Sequence, residues 1–557
     1  MYLRILLLLS CFCLSTSTLP ANWTAPHQLA TDQGESLNFF YPIDLAYNGH
    51  GDAIAIWTLN DGTNQLIFSG ILPNNSSTWS APVRVSPLGE DAFNPSLAVN
   101  ANGYAVVVWN TFTLPATAAV KAAVLNTVTN PAGPWAQTAN LSNPSNTSVL
   151  PQVTIDSSGN AVAAWITFTS EEETFIEGAL LPFPLLAWTP TTPLTSPSSN
   201  ADSVVLKTDA VGATLAIWVE FTTTSTSVIK SASLPKLTTT WLNTTAISAS
   251  DGTAFGPDLA LDINGNGVAV WTDYKGNDRN GFFIIESASY TKASTSWGAV
   301  TQVSLDNEDS FTPKVKIGTD LKAIAVWCGG PNLDTGVIEA AYLNSNASAW
   351  VQYPYLTTAD HDSSLPVIDI DPSNNAIVVW VEELKPSKGC RAASQTGTLF
   401  TIQSAILRAG TSAWLRTPQI SSNADSDAYF PLVALDGNTN AVALWKAYTD
   451  TSDKTLASQR LHLFGPLPVT NFQGKVKKNK FATQTDLIHV LSWTPVTDSL
   501  RVGFRIYQNN IALGSVLPAT ATTTSLHARN PHQKYLYTIV SVYADGSESA
   551  FVPPITL

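Results

Sequence analysis

The segment PSLAVNANGYAVVVW, Pro95–Trp109, contains the pattern that decides the fold. It returns as PQVTIDSSGNAVAAW at Pro151–Trp165 and as PDLALDINGNGVAVW at Pro257–Trp271. A unit of roughly P-x-L-A-x-D-x-x-G-N-A-V-A-V-W occurs eight times in the 557 residues, and such an internal repeat predicts an array of similar modules. Its closing tryptophans are Trp57, Trp109, Trp165, Trp218, Trp271, Trp327, Trp380 and Trp445.

A second series of tryptophans precedes the first. The spacing to the closing tryptophan is 30 residues in six units, 34 in the first and 31 in the last. The two series together contain all 17 tryptophans except Trp493, so both mark fixed positions in the repeat. The second series is Trp23, Trp79, Trp135, Trp188, Trp241, Trp297, Trp350 and Trp414.

Each repeat of roughly 53 residues is interpreted as four antiparallel strands. The proline is expected to open the first strand, where a missing N–H is tolerated, and D-x-x-G-N predicts a tight turn. Four such strands per repeat are typical of a propeller blade, so the sequence predicts an all-β fold with an eight-bladed β-propeller. The fourth-strand motif at Asn22–Ala30 is expected to complete the last blade beside Leu456–Phe464, which removes exposed edges.

These D-x-x-G-N-A-x-A-x-W repeats resemble those of secreted bacterial β-propeller repeat proteins of uncertain function. The resemblance covers roughly Asn22–Phe464 and implies the architecture, but it says little about a ligand. Individual units depart from the pattern, with His50 in the first turn and Lys322 near the sixth.

The repeat stops near Pro466, and a different β pattern follows. Leu491–Pro495 (LSWTP), Val502–Asn509 (VGFRIYQN) and Tyr535–Gly546 (YLYTIVSVYADG) resemble strands of a fibronectin type III domain. That resemblance implies a β-sandwich that acts as a spacer or adhesive module, and Trp493 is expected in its core. The predicted domains are a signal peptide at 1–21, the propeller at 22–465 and the fibronectin type III-like domain at 466–557.

The N-terminus predicts export. Arg4 precedes an apolar run, Ile5–Leu14, and Ser15, Ser17 or Ala21 offers a cleavage site. No later stretch has the length of a transmembrane helix, so a secreted or cell-envelope location is expected. Lipidation at Cys11 is an open alternative. The net charge of −14 argues against a nucleic-acid partner.

Cysteine chemistry is limited to one candidate pair. Cys11 and Cys13 leave with the predicted signal peptide, so Cys328 and Cys390 remain. Both are expected near the same height on adjacent blades, which makes a disulfide a prediction, with two free thiols as the alternative.

The sequence contains no recognisable catalytic, metal-binding or phosphate-binding motif. Asp156, Asp262, Asp371 and Asp436 lie nine residues before a tryptophan, whereas a sialidase Asp-box has a spacing of five, so these aspartates are interpreted as turn formers.

The loops that join successive blades carry acidic residues, and they are expected to surround the mouth of the propeller. Carboxylates around such a mouth favour cations or cationic ligands, and Ca²⁺ at Asp306, Glu308 and Asp309 is an open alternative. Ordinary loop acidity explains the same residues. The candidate ligand-binding residues are Asp306, Glu308, Asp309, Asp360, His361, Asp362, Asp425 and Asp427.

Three functions remain open. The favoured one is an extracellular binding or adhesion protein whose ligand is a protein, a glycan or a cation-bridged partner. A propeller glycoside hydrolase or lyase, with Asp309, Asp362 or Asp427 as acid and base, is the alternative. A structural envelope protein is the third. No cofactor is identified.

Overall fold

A computed structural model shows that the chain is built from β-strands. Among the described residues there is no helix, and hence none with the length and apolarity to cross a membrane. The chain forms two compact regions, one of Trp23–Leu463 and one that contains Phe464–Leu557. The predicted signal peptide lies outside the described residues, which are 23, 27–32, 43–74, 76, 78–113, 117–131, 133–169, 173–250, 252–276, 281–306, 308–330, 336–345, 347–357, 362–383, 400–421, 426–437, 440–449, 454–462, 469–480, 485–495, 501–509, 511–543, 548–549, 552 and 554–557.

The larger region consists of four-stranded antiparallel units that follow the sequence repeats, numbered here as units 1 to 8. The strands of units 1 to 4 are β2 (Asp44–Tyr47), β3 (Ala53–Asn60), β4 (Gln65–Leu72) and β5 (Val83–Arg84); β6 (Asp91–Val99), β7 (Tyr104–Thr113), β8 (Thr117–Asn126) and β9 (Ala136–Gln137); β10 (Thr147–Ile155), β11 (Ala161–Phe168), β12 (Thr174–Leu181) and β13 (Thr189–Pro190); and β14 (Asn200–Thr208), β15 (Thr214–Phe221), β16 (Ser227–Leu234) and β17 (Leu242–Ala246).

The remaining units have the same order of strands. In unit 5 the fourth strand is split into two short pieces, both paired with the third. The strands of units 5 to 8 are β18 (Phe255–Leu261), β19 (Gly267–Lys275), β20 (Phe282–Thr291), β21 (Ser296–Trp297) and β22 (Thr301–Gln302); β23 (Phe311–Ile317), β24 (Ala323–Gly329), β25 (Val337–Leu343) and β26 (Val351–Gln352); β27 (Asp362–Ile370), β28 (Ala376–Glu383), β29 (Phe400–Leu407) and β30 (Trp414–Arg416); and β31 (Ser426–Leu435), β32 (Asn440–Thr449), β33 (Lys454–His462) and β1 (His27–Asp32).

The N-terminal strand belongs to the last unit. β1 pairs antiparallel with β33, with His27 opposite Ser458 and Asp32 opposite Lys454. This pairing agrees with the predicted addition of the N-terminal segment to the end of the repeat.

Five tryptophans of the second series, Trp23, Trp135, Trp241, Trp297 and Trp350, donate a hydrogen bond to the unit before their own. The indole N–H of Trp135 donates to Ser69 Oγ at 2.8 Å, and that of Trp297 donates to Ser231 Oγ at 2.7 Å. Trp23 makes the same contact for unit 8, because its N–H donates to Ser404 Oγ of unit 7 at 3.0 Å. A second acceptor, Thr417 Oγ1, lies at 3.2 Å. The N-terminal segment therefore repeats the side-chain chemistry of the other units as well as their strand pairing.

The closing tryptophans form the cores between the units. All eight are at most 2% exposed. Trp109 of unit 2 shares a core cluster with Ile54 and Ile56 of unit 1, and Trp327 of unit 6 shares one with Val270 of unit 5. An apolar face that one unit cannot cover by itself is thus covered by its neighbour.

The prolines lie inside the first strands, so the expectation that they open these strands is wrong. Pro95 is the fifth residue of β6, and the pairing of β6 with β7 shifts register between Phe93 and Ser96. The residue before the proline has positive φ, 51° at Asn94 and 54° at Thr312. A β-bulge leaves one residue without a ladder partner, and a proline, which has no N–H to donate, is tolerated there.

The first strands of the units adjoin one another in a closed series. Each contacts the first strand of the next unit, and β31 also contacts β2. Burial raises the pKa of Asp44 in unit 1, and the ammonium groups of Lys207 in unit 4 and Lys316 in unit 6 oppose that shift. Charges of units 1, 4 and 6 therefore act on one another. Residues 23–463 have a β-propeller-like fold.

The second region contains two sheets around one core. β34 (Thr470–Lys480), β35 (Thr485–Thr494) and β38 (Thr523–Leu526) form one sheet; β37 (Ile511–Pro518), β36 (Arg501–Gln508), β39 (Leu536–Tyr543) and β40 (Ile555–Thr556) form the other. Trp493 is 4% exposed and packs with Phe504 and Tyr537, which confirms its predicted place in a core.

Replacement of Trp23 by phenylalanine should lower the free energy of unfolding by about 1 kcal/mol, because the ring is kept and the donated hydrogen bond is lost. Trp188→Phe is the matched control, since the Trp188 indole N–H makes no hydrogen bond to the described residues. Urea unfolding of the purified chain measures both. Equal losses in the two variants would contradict the role given to the Trp23 N–H.

Candidate functional site

Three of the predicted mouth carboxylates hold neighbouring units together. Asp309 Oδ1 accepts the backbone N–H of Phe283 at 2.9 Å, which links the loop before unit 6 to the third strand of unit 5. Asp362 Oδ1 accepts the N–H of Gly336 at 2.9 Å, and Asp427 Oδ1 that of Phe400 at 3.0 Å. The same bond at three successive junctions indicates a structural role for each of these side chains.

The other predicted ligands have different surroundings. Asp306 is exposed and its Oδ1 accepts an N–H of the Gln302 amide at 2.9 Å. Asp360, His361 and Asp425 lie outside the described residues. In the part of the chain that the structure describes, no group of three or more His, Cys, Asp or Glu side chains is arranged to hold a metal ion.

Only one of the two cysteines predicted to form a disulfide, Cys328, is among the described residues. Cys328 is 1% exposed, and its Sγ lies 3.1 Å from the carbonyl oxygen of Ser363 in unit 7. Cys390 lies outside the described residues, so the disulfide stays a prediction.

The aspartates of the D-x-x-G-N segments form turns, as predicted. Asp156 Oδ1 accepts the N–H groups of Ser158 and Asn160 at 2.9 and 2.8 Å, and its Oδ2 accepts the side-chain N–H of Asn160. Asp262 and Asp371 make the same set of bonds.

An aromatic group lies where units 5 and 6 meet, at the end of the strands that carries Asp309. Phe283 is at its centre, with ring centroids 5.7 Å from Phe255, 5.1 Å from Tyr274 and 5.0 Å from Phe311. All four rings are partly exposed. Both backbone groups of Phe283 are hydrogen-bonded to the loop before unit 6. Its N–H donates to Asp309, and its carbonyl accepts the N–H of Ser310 at 2.7 Å.

Acidic and phenolic groups lie in the same interface between units 5 and 6. This interface, which contains the four aromatic rings together with Glu308, Glu339 and Tyr355, is called here the 5/6 seam. The Tyr355 hydroxyl is 3.3 and 3.4 Å from the two carboxylate oxygens of Glu308. Burial, together with the negative charges of Glu308 and Glu339, raises the pKa of Tyr355 to about 12. Tyr355 is 47% exposed, so this phenol–carboxylate pair is accessible from solvent.

Glu339 lies beneath that pair. It is directly opposite Trp327 in the pairing of β24 with β25, and it is 2% exposed. Burial and the nearby Glu308 raise its pKa to about 8, so the side chain is neutral at pH 7. Its Oε1 and the Ser310 Oγ are buried without a hydrogen-bond partner among the described residues. A Cβ at Gly329 would overlap Oε1, so any larger residue there would displace the Glu339 carboxyl group.

A second carboxyl pair is buried between units 4 and 5. Burial and the neighbouring Asp273 raise the pKa of Glu286 to about 7. Asp273 accepts the N–H groups of Thr253 and Tyr274, both at 2.8 Å, which stabilises its ionised form. The two neighbouring seams therefore each contain a carboxyl group that is easily kept neutral.

Asp306, Glu308 and Asp309 were predicted at the mouth of the propeller and lie at or next to this seam, whereas Glu339, Tyr355 and the aromatic group were not predicted. Glu339 had a readable signal, because a glutamate opposite a buried tryptophan stands in an otherwise apolar strand. Tyr355 had none, because its contact with Glu308 joins residues 47 positions apart.

Comparison with known proteins gives only remote likenesses. No family model matches the chain, and no curated protein matches it. Among solved structures it is similar to a Hadza microbial sialidase, with 11% identity and a TM-score of 0.34, over 51% of this chain and 62% of the sialidase. It is similar to an ulvan lyase of polysaccharide lyase family PL25, with 8% identity and a TM-score of 0.42, over 66% of this chain and 93% of the lyase. It is also similar to a fungal alcohol oxidase of the AA5 family, with 10% identity and a TM-score of 0.43, over 96% of this chain and 99% of the oxidase.

The chain thus spans about 62% of the length of the sialidase. Identities of 8 to 11% with TM-scores of 0.34 to 0.43 do not assign an activity to it.

Glu339→Gln should stabilise the protein in alkaline solution. The folded protein holds the Glu339 proton to a higher pH than the unfolded chain does, so the wild type loses stability as the pH rises from about 4.5 to about 8. Glutamine cannot ionise, and its gain over wild type should be on the order of 5 kcal/mol near pH 9 and close to zero near pH 4. Urea unfolding at several pH values measures this difference.

Glu177→Gln is the matched control for that experiment. Glu177 occupies the equivalent place opposite Trp165 in unit 3, but its Oε2 accepts the Thr167 hydroxyl at 2.7 Å. This control should show no alkaline gain. A Glu339→Gln gain that does not change with pH would contradict the burial of an ionisable proton at this position.

Proposed function

We propose that this chain is an extracellular glycan-cleaving protein whose site is the 5/6 seam. The observation that carries the proposal is the contact of the exposed Tyr355 hydroxyl with the Glu308 carboxylate at 3.3 Å, close enough to the buried Glu339 that Glu308 helps to raise the pKa of Glu339 to about 8. Acid–base cleavage of a glycosidic bond requires one group that donates a proton and one that accepts it.

The aromatic group supports a sugar as the ligand. The partly exposed rings of Phe255, Tyr274, Phe283 and Phe311 offer apolar faces beside acidic groups, and pockets that orient small polar ligands combine those two features. The sialidase and the lyase among the similar structures act on glycans by their names, and the proposal shares that class without resting on them.

Glu308 is assigned the role of base and Tyr355 that of the donor that reaches the substrate. Glu339 is assigned the role of the neutral group behind them, which keeps a second negative charge out of the seam below about pH 8. Asp309 is assigned a positioning role, because it fixes Phe283.

The same proposal includes the wider architecture. Units 1 to 8 are the eight blades of a propeller that occupies residues 22–465, and residues 466–557 are a fibronectin type III-like sandwich. The strand order of the units, the closed series of first strands and the three-plus-four arrangement of strands around Trp493 support it. Export of the chain follows from the predicted signal peptide at 1–21.

Binding without cleavage is the second candidate. It is favoured by the hydrogen bonds of Asp309, Asp362 and Asp427 to the backbone, and by the 2% exposure of Glu339. Under this reading the aromatic group and Glu308 hold a glycan and no bond is broken.

Glu308→Gln should reduce the release of new reducing ends from polysaccharides by about 10²–10⁴-fold, because the base is lost. The assay uses the exported chain on a panel of neutral and acidic polysaccharides, with ultraviolet absorbance to separate a lyase from a hydrolase. Glu177→Gln should retain the wild-type rate.

A wild-type chain that retains glycans on an array but releases no products would establish the second candidate. A chain that neither binds nor cleaves any glycan of the panel would refute both.

A further inference from the structure

Four successive units carry an aromatic residue at the same place near the end of the second strand. It is the third residue after the closing tryptophan, and in units 2 to 5 it is Phe112, Phe168, Phe221 and Tyr274. Units 1, 6 and 7 have Asn60, Gly330 and Glu383 there, so the repeat folds without a ring at this place. The rings of units 3 and 4 are 37% and 40% exposed. Exposed rings that recur in neighbouring units without serving the fold indicate an interaction surface.

Backbone pairing joins units 3 and 4 at this end of their strands. Thr174, the first residue of β12, pairs in parallel with Asn200, the first residue of β14, so the two units share one sheet. Thr174 is also the partner of Phe168 in β11, and Asn200 is the partner of Phe221 in β15. These four residues therefore form one row across four adjacent strands, called here the 3/4 row. Because directly paired residues lie on the same face of a sheet, their side chains share one surface.

The groups between the two rings of the 3/4 row are polar and uncharged. The Thr174 hydroxyl lies 3.0 Å from Asn200 Oδ1, and it accepts the backbone N–H of Ala201 at 2.9 Å. The Asn200 side chain is exposed, and its amide N–H groups donate no hydrogen bond to the described residues. Two available donors thus lie between two apolar rings.

The 3/4 row has no charge to offer a ligand. None of its four side chains ionises, and the neighbouring Glu220 is already paired with Lys230 at 2.5 Å. Asp202, two residues after Asn200, accepts the backbone N–H of Ser203 at 2.6 Å. The surface therefore favours an uncharged ligand that combines apolar faces with hydroxyl groups.

The 3/4 row continues toward the 5/6 seam through adjacent strands. Phe221 pairs with Ser227 in β16, and Ser227 forms a parallel bridge with Thr253 of unit 5. Thr253 and Tyr274 donate their backbone N–H groups to the same oxygen of Asp273, both at 2.8 Å. The Tyr274 ring belongs to the aromatic group of the 5/6 seam. The exposed rings of units 3, 4 and 5 thus lie along one path that ends at the seam.

The two rings of the 3/4 row are too far apart for a single sugar. Neighbouring strands of a sheet are about 4.8 Å apart, so three steps separate the backbones of Phe168 and Phe221 by about 14 Å. One sugar ring cannot contact both side chains, whereas successive sugars of a chain can. The C–H face of a sugar packs on the face of an aromatic ring, and its hydroxyls accept hydrogen bonds from an amide such as that of Asn200.

We propose that the 3/4 row is a binding track for a neutral polysaccharide chain, which extends from Phe168 past Phe221 toward the 5/6 seam. The two phenylalanines pack on separate sugar rings, and the Asn200 amide donates to a hydroxyl between them. The track deepens the proposed function, and its role in supplying substrate rests on the cleavage proposed at the seam. It names the substrate class as a neutral polymer, because a single sugar cannot span the row.

Affinity electrophoresis of the purified chain in gels that contain xylan, arabinan, galactomannan or mixed-linkage β-glucan tests the proposal. At least one polymer should retard the wild type, and an excess of its constituent monosaccharide should not reverse the retardation. Phe168→Ala and Phe221→Ala should each weaken binding by about tenfold, because an apolar face is lost. Phe168→Tyr keeps the ring and should bind as the wild type does.

Phe183→Ala is the matched control. Phe183 is 40% exposed, as Phe221 is, but it follows the end of β12 and so lies at the opposite end of that strand from Thr174. Its truncation should leave the retardation unchanged. Thermal melting identifies any variant that is not folded at the assay temperature. If a phenylalanine variant is lost in this way, Asn200→Ala decides, because it removes only an exposed amide and should weaken binding several-fold.

Retardation by none of the four polymers, or equal retardation of the wild type, Phe168→Ala and Phe221→Ala, would overturn the proposal. Retardation by acidic polysaccharides alone, measured in parallel gels, would overturn it as well. Binding that depends on both phenylalanines, without release of reducing ends, would support the track and refute cleavage at the 5/6 seam. Release of reducing ends by a chain whose affinity for the polymer is unchanged in both alanine variants would refute the track alone.

Discussion

Burial of one indole ring between each pair of neighbouring units is the interaction on which the rest of the larger region depends. A four-stranded sheet of this size has two apolar faces and cannot cover both by itself. Trp109, Trp327 and their equivalents fill the space between adjacent faces, and truncation of such a ring to alanine typically costs about 3–5 kcal/mol. Every unit therefore depends on its neighbours to cover its apolar faces.

Charged side chains near the buried tryptophans are mostly paired with a side chain of opposite charge. Where the residue opposite or near the tryptophan is charged, a partner usually comes with it: Lys121 pairs with Glu90 at 2.6 Å, and Arg416 with Glu382 at 2.8 Å. The junctions on the two sides of unit 5 differ, because burial raises the pKa of Glu286 and of Glu339 and favours their neutral forms. An imperfectly compensated group within an otherwise regular array is a sign of a specialised site.

The repeat, its strand order and the place of the N-terminal strand were predictable, because sixteen tryptophans at fixed spacing mark them. The prolines were misplaced by several residues, since a bulge with positive φ at Asn94 and Thr312 leaves little trace in the sequence. Asp309, Asp362 and Asp427 were read as ligands because acidity in a loop looks the same whether a carboxylate faces solvent or accepts a backbone N–H. Contacts between units, such as that of Tyr355 with Glu308, depend on how neighbouring sheets pack and could not be read from either segment.

The exchange of the first strand between the two ends of the repeat has a consequence for biogenesis. Trp23 donates to Ser404, 381 positions further along the chain, and β1 pairs with β33, so neither contact can form until the last repeat is present. Seven units can be paired in the order in which they are synthesised, but the eighth requires the earliest and latest parts of the array together. Contacts between such distant positions form slowly, so an incompletely synthesised chain presents an unpaired edge of β1 to proteases and to other chains. Completion of synthesis is thereby coupled to the pairing of the last unit.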